Sequence, residues 1–360
     1  MSSEKRIISI DIARIIAALL VVSIHVSVFY EFSSFNFFLN NIIARLAVPF
    51  FFVVSGYFAA IKLRGPDGNS YIWEYVKKIF FVYAAWSIVY FPFDFITIFE
   101  IYQKIDTAIL TYIKRSIFMG SHYYLWFFTA QISSAVIFYF FYKYGKLRYL
   151  FFILPFLYII GLLGDSYYYA IKDNAFWLQI YRIIDFWGTT KNGLFFGLPL
   201  FSLGYLAEKY NSSIGREKVV CLLIGSFSFY ALEWVFLADK LTLEKYSFNI
   251  FLAPTIFFLF LWLIKLDING KNMFIPHARD ISLLIYCGHG IFLLFLKYFL
   301  IQNHIDHAGQ MLALFAVFLP SFALALAIIY FKRSYNLLIN LKPGASPDFP
   351  SRHREWRHDI

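Results

Sequence analysis

Asp11, Arg14 and His25 interrupt one otherwise apolar stretch near the start of the chain. An ionisable side chain inside a membrane-crossing stretch is costly, so each is a functional candidate. Arg14 and His25 are eleven residues apart, which on a helix is roughly 1100° of rotation and about 16 Å of rise, so both face the same way. Asp11, one turn before Arg14, extends the polar seam. Two readings are open. In one, Arg14 snorkels to cytoplasmic headgroups and a backbone carbonyl satisfies His25 near the outer interface. In the other, His25 accepts a proton near neutrality, and Arg14 neutralises an anionic group arriving from the cytoplasm, as a guanidinium does well.

The same rule selects Arg45 at the outer start of the second apolar stretch, Lys191 and Asn192 before the sixth, Glu233 in the seventh and His289 in the ninth. His25, Arg45, Lys191 and Glu233 all fall toward the outer halves of their stretches. A shared water-accessible cavity explains them, and so do four separate interfacial residues. His122, just before Tyr123-Tyr124-Leu125-Trp126, reads as an interface residue at the outer entry to a span. No His, Asp or Glu cluster has ligand spacing, so no metal is expected. Cys221 and Cys287 sit inside apolar runs; they indicate neither a disulfide framework nor a zinc site and read as small core residues.

The elements that must position these groups follow from composition. Of 360 residues, 60% are AVILMFWYC and 15% are charged, with 46 Phe, 27 Tyr and 8 Trp. Soluble domains run near 45 to 50% apolar, and mean hydropathy is +0.64. A secreted enzyme, a cytosolic domain and a disordered chain are therefore excluded. The apolar residues suffice for roughly ten helices of about 20 residues, the length that crosses a hydrocarbon core about 30 Å thick. The expected fold is all-α and polytopic, with spans near 8–29, 46–61, 79–99, 123–142, 149–164, 193–207, 219–237, 248–264, 281–301 and 311–331, good to about four residues. Helices are expected because backbone polar groups in lipid must be satisfied within the segment.

The net charge of +10 orients those helices rather than binding nucleic acid. With the N-terminus in the cytoplasm, 21 of the 32 Lys and Arg fall in inside segments and nine outside, with Arg14 and Lys297 within spans. Both termini are therefore expected in the cytoplasm. Lys5 and Arg6 before an apolar run mimic a secretory signal, but Asp11 and Arg14 interrupt it, and the run reads as a retained first span.

Two outside connections are long, 100–122 and 165–192. The second carries Tyr167, Tyr168, Tyr169, Trp177 and Trp187, suited either to interfacial anchoring or to stacking of sugar rings. Residues 1–335 read as one transmembrane domain. Residues 336–360, with Pro343, Gly344, Pro347, Pro350, Arg352, Arg354 and Arg357, read as a disordered basic tail near anionic lipid.

Several segments taken in order resemble the membrane acyltransferase-3 family: Asp11-Ile12-Ala13-Arg14 with His25; Arg45-Leu46-Ala47-Val48-Pro49-Phe50-Phe51-Phe52 leading to Ser55-Gly56-Tyr57-Phe58; Tyr123-Tyr124-Leu125-Trp126-Phe127-Phe128; Thr189-Thr190-Lys191-Asn192-Gly193-Leu194-Phe195-Phe196-Gly197; and Ile281-Ser282-Leu283-Leu284-Ile285-Tyr286 before His289. The resemblance implies ten helices and transfer of an acyl group, commonly acetyl, from cytosolic acyl-coenzyme A to a hydroxyl of an extracytoplasmic cell-envelope glycan or lipid-linked sugar. It gives catalytic weight to His25 and Arg14; beside them, Arg45, Lys77, Lys78, Trp126, Lys191, Asn192, Glu233 and His289 are read as substrate-binding positions.

Acyl-coenzyme A is then a co-substrate and no bound cofactor is implied. The location implied is the prokaryotic plasma (inner) membrane. Two departures stand out. Lys77 and Lys78 replace the family's paired arginines, and Lys191 stands where arginine is commoner, which is not a conservative change at a bidentate site. The chain looks most like the branch that includes the membrane half of vancomycin-resistance serine racemases, although no racemase domain follows residue 340 within these 360 residues. Transport of a small polar solute such as serine is the alternative that this branch implies.

Overall fold

The computed structural model describes residues 7–26, 34–177, 179, 188–238, 247–268, 277–303, 305 and 309–340. Among them all regular structure is helical, and there is no strand. Among the described residues, seven helices are long and apolar enough to cross a membrane: Ile8–Val26, Phe35–Leu63, Gly68–Tyr102, Ile105–Lys143, Arg216–Ala238, Ala278–Gln302 and Met311–Lys332. Leu147–Leu163 and Leu252–Ile264 are shorter apolar helices. Trp187, Lys5, Arg6, Lys271 and the tail from residue 341 onward lie outside the described residues.

Helix α1 (Ile8–Val26) contains neither Gly nor Pro and carries Asp11 in its first turn, where a carboxylate complements the helix dipole. It is packed on two sides. Ile10, Ala17 and Val21 join a large aromatic core with Phe50, Phe52, Phe128 and Phe260. Ala18, Val22 and Val26 join a second core with Ile285, Leu293 and Val317. Side chains on α1 are thus held from both directions.

The chain enters α2 (Ala47–Leu63) through a π segment, Phe38–Ile43, and a 3₁₀ turn, Ala44–Leu46. Ser23 Oγ donates to Asn40 Oδ1 at 2.6 Å, and the Tyr230 hydroxyl donates to the Ile42 carbonyl at 3.0 Å. These bonds pin the irregular backbone that carries Arg45. Elements of this type concentrate at functional sites.

Helix α3 (Gly68–Tyr102) begins well before the expected boundary near 79. Its first three turns are amphipathic, with Ile72 buried and Lys77 and Lys78 exposed, so they extend the helix without extending the apolar run. Further along α3, Phe80, Phe81, Ile88, Val89, Phe91 and Phe93 are exposed, an apolar surface that suits hydrocarbon rather than water. Segment 100–122, expected as a connection, contains helix α4 (Ile105–Phe118), with Asp106 at its start and Arg115 at its end. It docks on α3 where Tyr83 donates to the Ser116 carbonyl at 2.6 Å.

The remaining helices are α5 (Trp126–Lys143), α6 (Leu147–Leu163), α7 (Leu198–Tyr210), α8 (Arg216–Ala238), α9 (Leu252–Ile264), α10 (Ala278–Gln302) and α11 (Gln310–Asn340). α11 runs past the expected ends at 331 and 335. α2 and α7 touch backbone to backbone: a methyl group on Gly56 or Gly204 would overlap main-chain atoms of Phe201 or of Val53 and Tyr57. Small residues permit such close crossings where no hydrophobic driving force separates helix from lipid.

Candidate active site

An open cavity of about 550 Å³ is bordered by α1, α2, α3, α5 and the start of α10. Its charged lining comprises Asp11, Arg14, Lys62, Lys78 and Arg279, with His277 beside them. Lys78 Nζ and Arg279 Nε lie 3.8 and 3.6 Å from Asp280 Oδ1. Arg14 is buried, donates from Nη1 to Asp11 Oδ1 at 2.9 Å and sits 5.3 Å over the Phe58 ring. A neighbouring carboxylate and an aromatic face together hold a planar guanidinium in place. Other walls are Phe51, Phe127, Phe128, Tyr75, Gln131 and Tyr286, and Gln131 Nε2 donates to the Tyr75 hydroxyl at 2.8 Å. The cavity thus combines cationic and aromatic lining residues. Lys78 lines it and Lys77 does not.

His25 is not part of that lining. It stacks on His289 with ring centroids 5.2 Å apart and meets Tyr124 edge-on at 4.6 Å. His289 is fully buried, and its Nδ1 lies 2.6 Å from the Tyr286 carbonyl oxygen. A carbonyl only accepts, so that nitrogen carries the proton and Nε2 presents a lone pair. Tyr286 connects the two compartments. Its ring lines the cavity, packs on Phe127 and Phe128 at 5.5 and 5.8 Å, and lies 5.9 Å from His289. Its hydroxyl donates to the Tyr124 carbonyl at 2.6 Å.

Tyr124 reaches α10 because residue 290 is glycine. A Cβ there would sit 2.5 Å from Tyr124 Cδ2 and 2.6 Å from the Tyr90 hydroxyl. The hydroxyl of Tyr90 in turn donates to the Cys287 carbonyl at 2.7 Å. The layer between cavity and histidines is thus fixed by hydrogen bonds from two helices to backbone carbonyls.

The remaining sequence-selected residues surround this cluster. Arg45 is buried, and its charge and that of Lys191 lie within Coulombic reach of the His25 imidazole. Burial pushes the Lys191 ammonium below the ordinary lysine value, Asp165 opposes that shift and Arg45 adds to it. Asn192 accepts from Leu194 N and Phe195 N at 2.9 and 3.1 Å and donates to the Thr189 carbonyl at 2.9 Å. It caps the π segment Gly193–Gly197 that leads into α7.

Glu233 accepts from the Tyr167 hydroxyl at 2.5 Å and from the backbone N–H groups of Ile250 and Phe251 at 2.7 and 3.0 Å. That carboxylate binds the chain before α9 to α8. Trp126 opens α5, half-buried, with its ring 5.9 Å from Phe196. The structure therefore groups His25 with His289, groups Arg14 with Lys78 in the cavity, and leaves Lys77 and Trp126 outside both groups.

Sequence reasoning passed over Asp94, a buried carboxylate within the 79–99 stretch, although the rule that selected the others selects it too. It also missed Tyr124 and Tyr286, whose importance lies in contacts between distant segments, and Lys62 and Arg279, which lie at helix ends.

Comparison with known proteins adds three findings. The family described as an acyltransferase domain matches residues 7–330. The chain is similar to an amino-acid racemase of Enterococcus faecalis, with 31% identity over 328 residues, covering 85% of this chain and 44% of the racemase. It is also similar to a serine/alanine racemase of Enterococcus gallinarum, with 27% identity over 311 residues, 82% of this chain and 43% of the relative. The chain thus spans less than half the length of these curated relatives. No solved structure matches.

Proposed function

The chain belongs to the acyltransferase-3 family, and on that premise we propose that it is an integral membrane O-acyltransferase of a prokaryotic plasma membrane. It transfers an acyl group, typically acetyl, from cytosolic acyl-coenzyme A to a hydroxyl of an extracytoplasmic cell-envelope glycan or lipid-linked sugar. Ten helices span the bilayer in this reading, with both termini in the cytoplasm, and the protein's partners are membrane lipid, donor and acceptor.

The observation that carries the reading is the cavity. Arg14, Lys62, Lys78 and Arg279 offer cations to the phosphates of a donor, while Phe51, Phe127 and Tyr286 offer an apolar path toward the His25 and His289 rings. Guanidinium and ammonium groups bind phosphate well, and acyl transfer needs a base within reach of the hydroxyl. His25 takes the proton as the acceptor oxygen bonds to the acyl carbon. The carbon–sulfur bond breaks and the thiolate leaves through the cavity, to be protonated from the cytoplasmic side. Arg14 holds the donor.

Purified protein in lipid should consume acetyl-coenzyme A only when a hydroxyl acceptor is supplied, tested with oligosaccharides released from envelope glycan. Thiol release independent of acceptor and equal to that of empty vesicles would remove the assignment.

A second reading, uptake of a small polar solute such as serine, rests on the names of the relatives, amino-acid racemase and serine/alanine racemase. Serine accumulation in sealed vesicles without acyl transfer would favour it.

A further inference from the structure

One buried pair of side chains has no part in the reaction above, yet it is built as an acid–base unit. His122 Nδ1 lies 2.9 Å from both Oδ1 and Oδ2 of Asp94, and the two residues are 8% and 7% exposed. An ionised carboxylate can only accept, so Nδ1 carries a proton, and in the neutral ring Nε2 presents a lone pair. That Nε2 is buried and has no hydrogen-bond partner among the described residues. Leaving a buried polar atom unmatched is unfavourable, and a carboxylate within a membrane span is more so. A pair serving only to join α3 to the segment before α5 would gain nothing from the open nitrogen.

The ring lies beside the site. Tyr90 stacks on the His122 ring at 4.2 Å and 8°, and Tyr124 borders it at 4.9 Å. The same Tyr124 ring lies 4.6 Å from His25 and 4.9 Å from His289. One tyrosine therefore touches three imidazoles. The backbone is shaped for this placement. Gly120 has φ +90°, and a Cβ there would lie 2.6 Å from Trp126 N, so a glycine is needed for the turn that sets His122 over Asp94.

We propose that Asp94 and His122 form a second acid–base unit of the same site, which receives the proton that His25 removes from the acceptor hydroxyl. The inference rests on the acyltransferase reading. The departing thiolate lies on the cavity side of Tyr286, so the proton on His25 needs an exit before the next turnover. Water admitted with the acceptor carries it from His25 to His122 Nε2, which releases it on the acceptor side, while a cytoplasmic proton completes the thiol. Asp94 fixes the tautomer and steadies the imidazolium, the part a carboxylate plays behind a catalytic histidine.

The test uses the full chain in lipid vesicles, with acetyl-coenzyme A and oligosaccharides released from envelope glycan. His122→Asn keeps an amide that can donate to Asp94 but has no basic nitrogen. It should lower kcat about 10²-fold with the KM for acetyl-coenzyme A within about twofold. His122→Gly should be equally slow and should recover at least about tenfold with added imidazole, but not with sodium chloride of equal ionic strength. Asp94→Asn should fall between these variants and the parent.

Activity of His122→Asn within about threefold of the parent, or His122→Gly that imidazole does not restore, overturns the unit and leaves the acyltransferase reading standing. Absence of transfer by the unsubstituted protein overturns both.

Discussion

Arg14 and His25 stand on one face of α1, about 16 Å apart along its axis, and open onto different compartments. Arg14 lines the cavity, whereas His25 stacks on His289 beyond Tyr286. A single rigid helix thus joins a cationic chamber to a cluster of imidazoles. In the proposed reaction Tyr286, which touches both sides, is the layer that the acyl group passes.

Tyr286 therefore separates two functions that substitution can pull apart. Tyr286→Phe keeps the ring but loses the hydroxyl bond to the Tyr124 carbonyl, which typically contributes about 0.5 to 1.5 kcal/mol. Tyr286→Ala removes the layer itself and admits water. Acceptor-independent hydrolysis of acetyl-coenzyme A, followed as thiol release, should rise several-fold in Tyr286→Ala and little in Tyr286→Phe. Parental hydrolysis in both variants would show that the layer lies elsewhere.

Arg14 meets Asp11 and the Phe58 face at once. An ammonium can keep the charge but does not reproduce the planar stack. Arg14→Lys should raise the KM for acetyl-coenzyme A about tenfold, and Arg14→Ala more, with the variants compared at matched membrane abundance. Full tolerance of Lys would mean that Arg14 only snorkels.

Gly290→Ala places a methyl group against Tyr124 and the Tyr90 hydroxyl. Overpacking of a filled core costs about 1 to 3 kcal/mol. Detergent-solubilised protein should melt several degrees lower and lose acyl transfer together with the displaced Tyr124 ring. Gly225→Ala has no atom within 4 Å of the new Cβ and serves as the control. Equal behaviour of the two variants would contradict the packing argument.

Much of the site was legible because an apolar background makes each ionisable residue conspicuous. Type and spacing single out Arg14 and His25 as candidates and leave two readings open; their catalytic weight comes from the family resemblance. Their division between two compartments was not legible, because it depends on Tyr286, which arrives from α10. Glu233 and Asn192 illustrate another limit. Composition flags both, but only the fold reveals that backbone N–H groups occupy the carboxylate of one and the amide oxygen of the other. The early start of α3 was hidden because its first turns are amphipathic, and α4 because a helix in a connection has no apolar run.

The proposed orientation places Lys172 outside and Lys146 inside, following the bias of Lys and Arg. Lys172→Cys should label in intact cells with an impermeant maleimide, and Lys146→Cys only after permeabilisation. Both cysteines labelling alike would overturn the ten-span arrangement.

The central claim is that one chain carries an acyl group from a donor on one face to a hydroxyl on the other with His25 as base. The direct measurement uses sealed vesicles with radiolabelled acetyl-coenzyme A on the cytoplasmic face and envelope oligosaccharides on the opposite face. Label should appear on the oligosaccharide in proportion to thiol released, and His25→Ala, inserted at the same abundance, should reduce it by about 10² to 10⁴. Transfer that survives in both His25→Ala and His25→Gln, or serine accumulation with no labelled acceptor, would contradict the account.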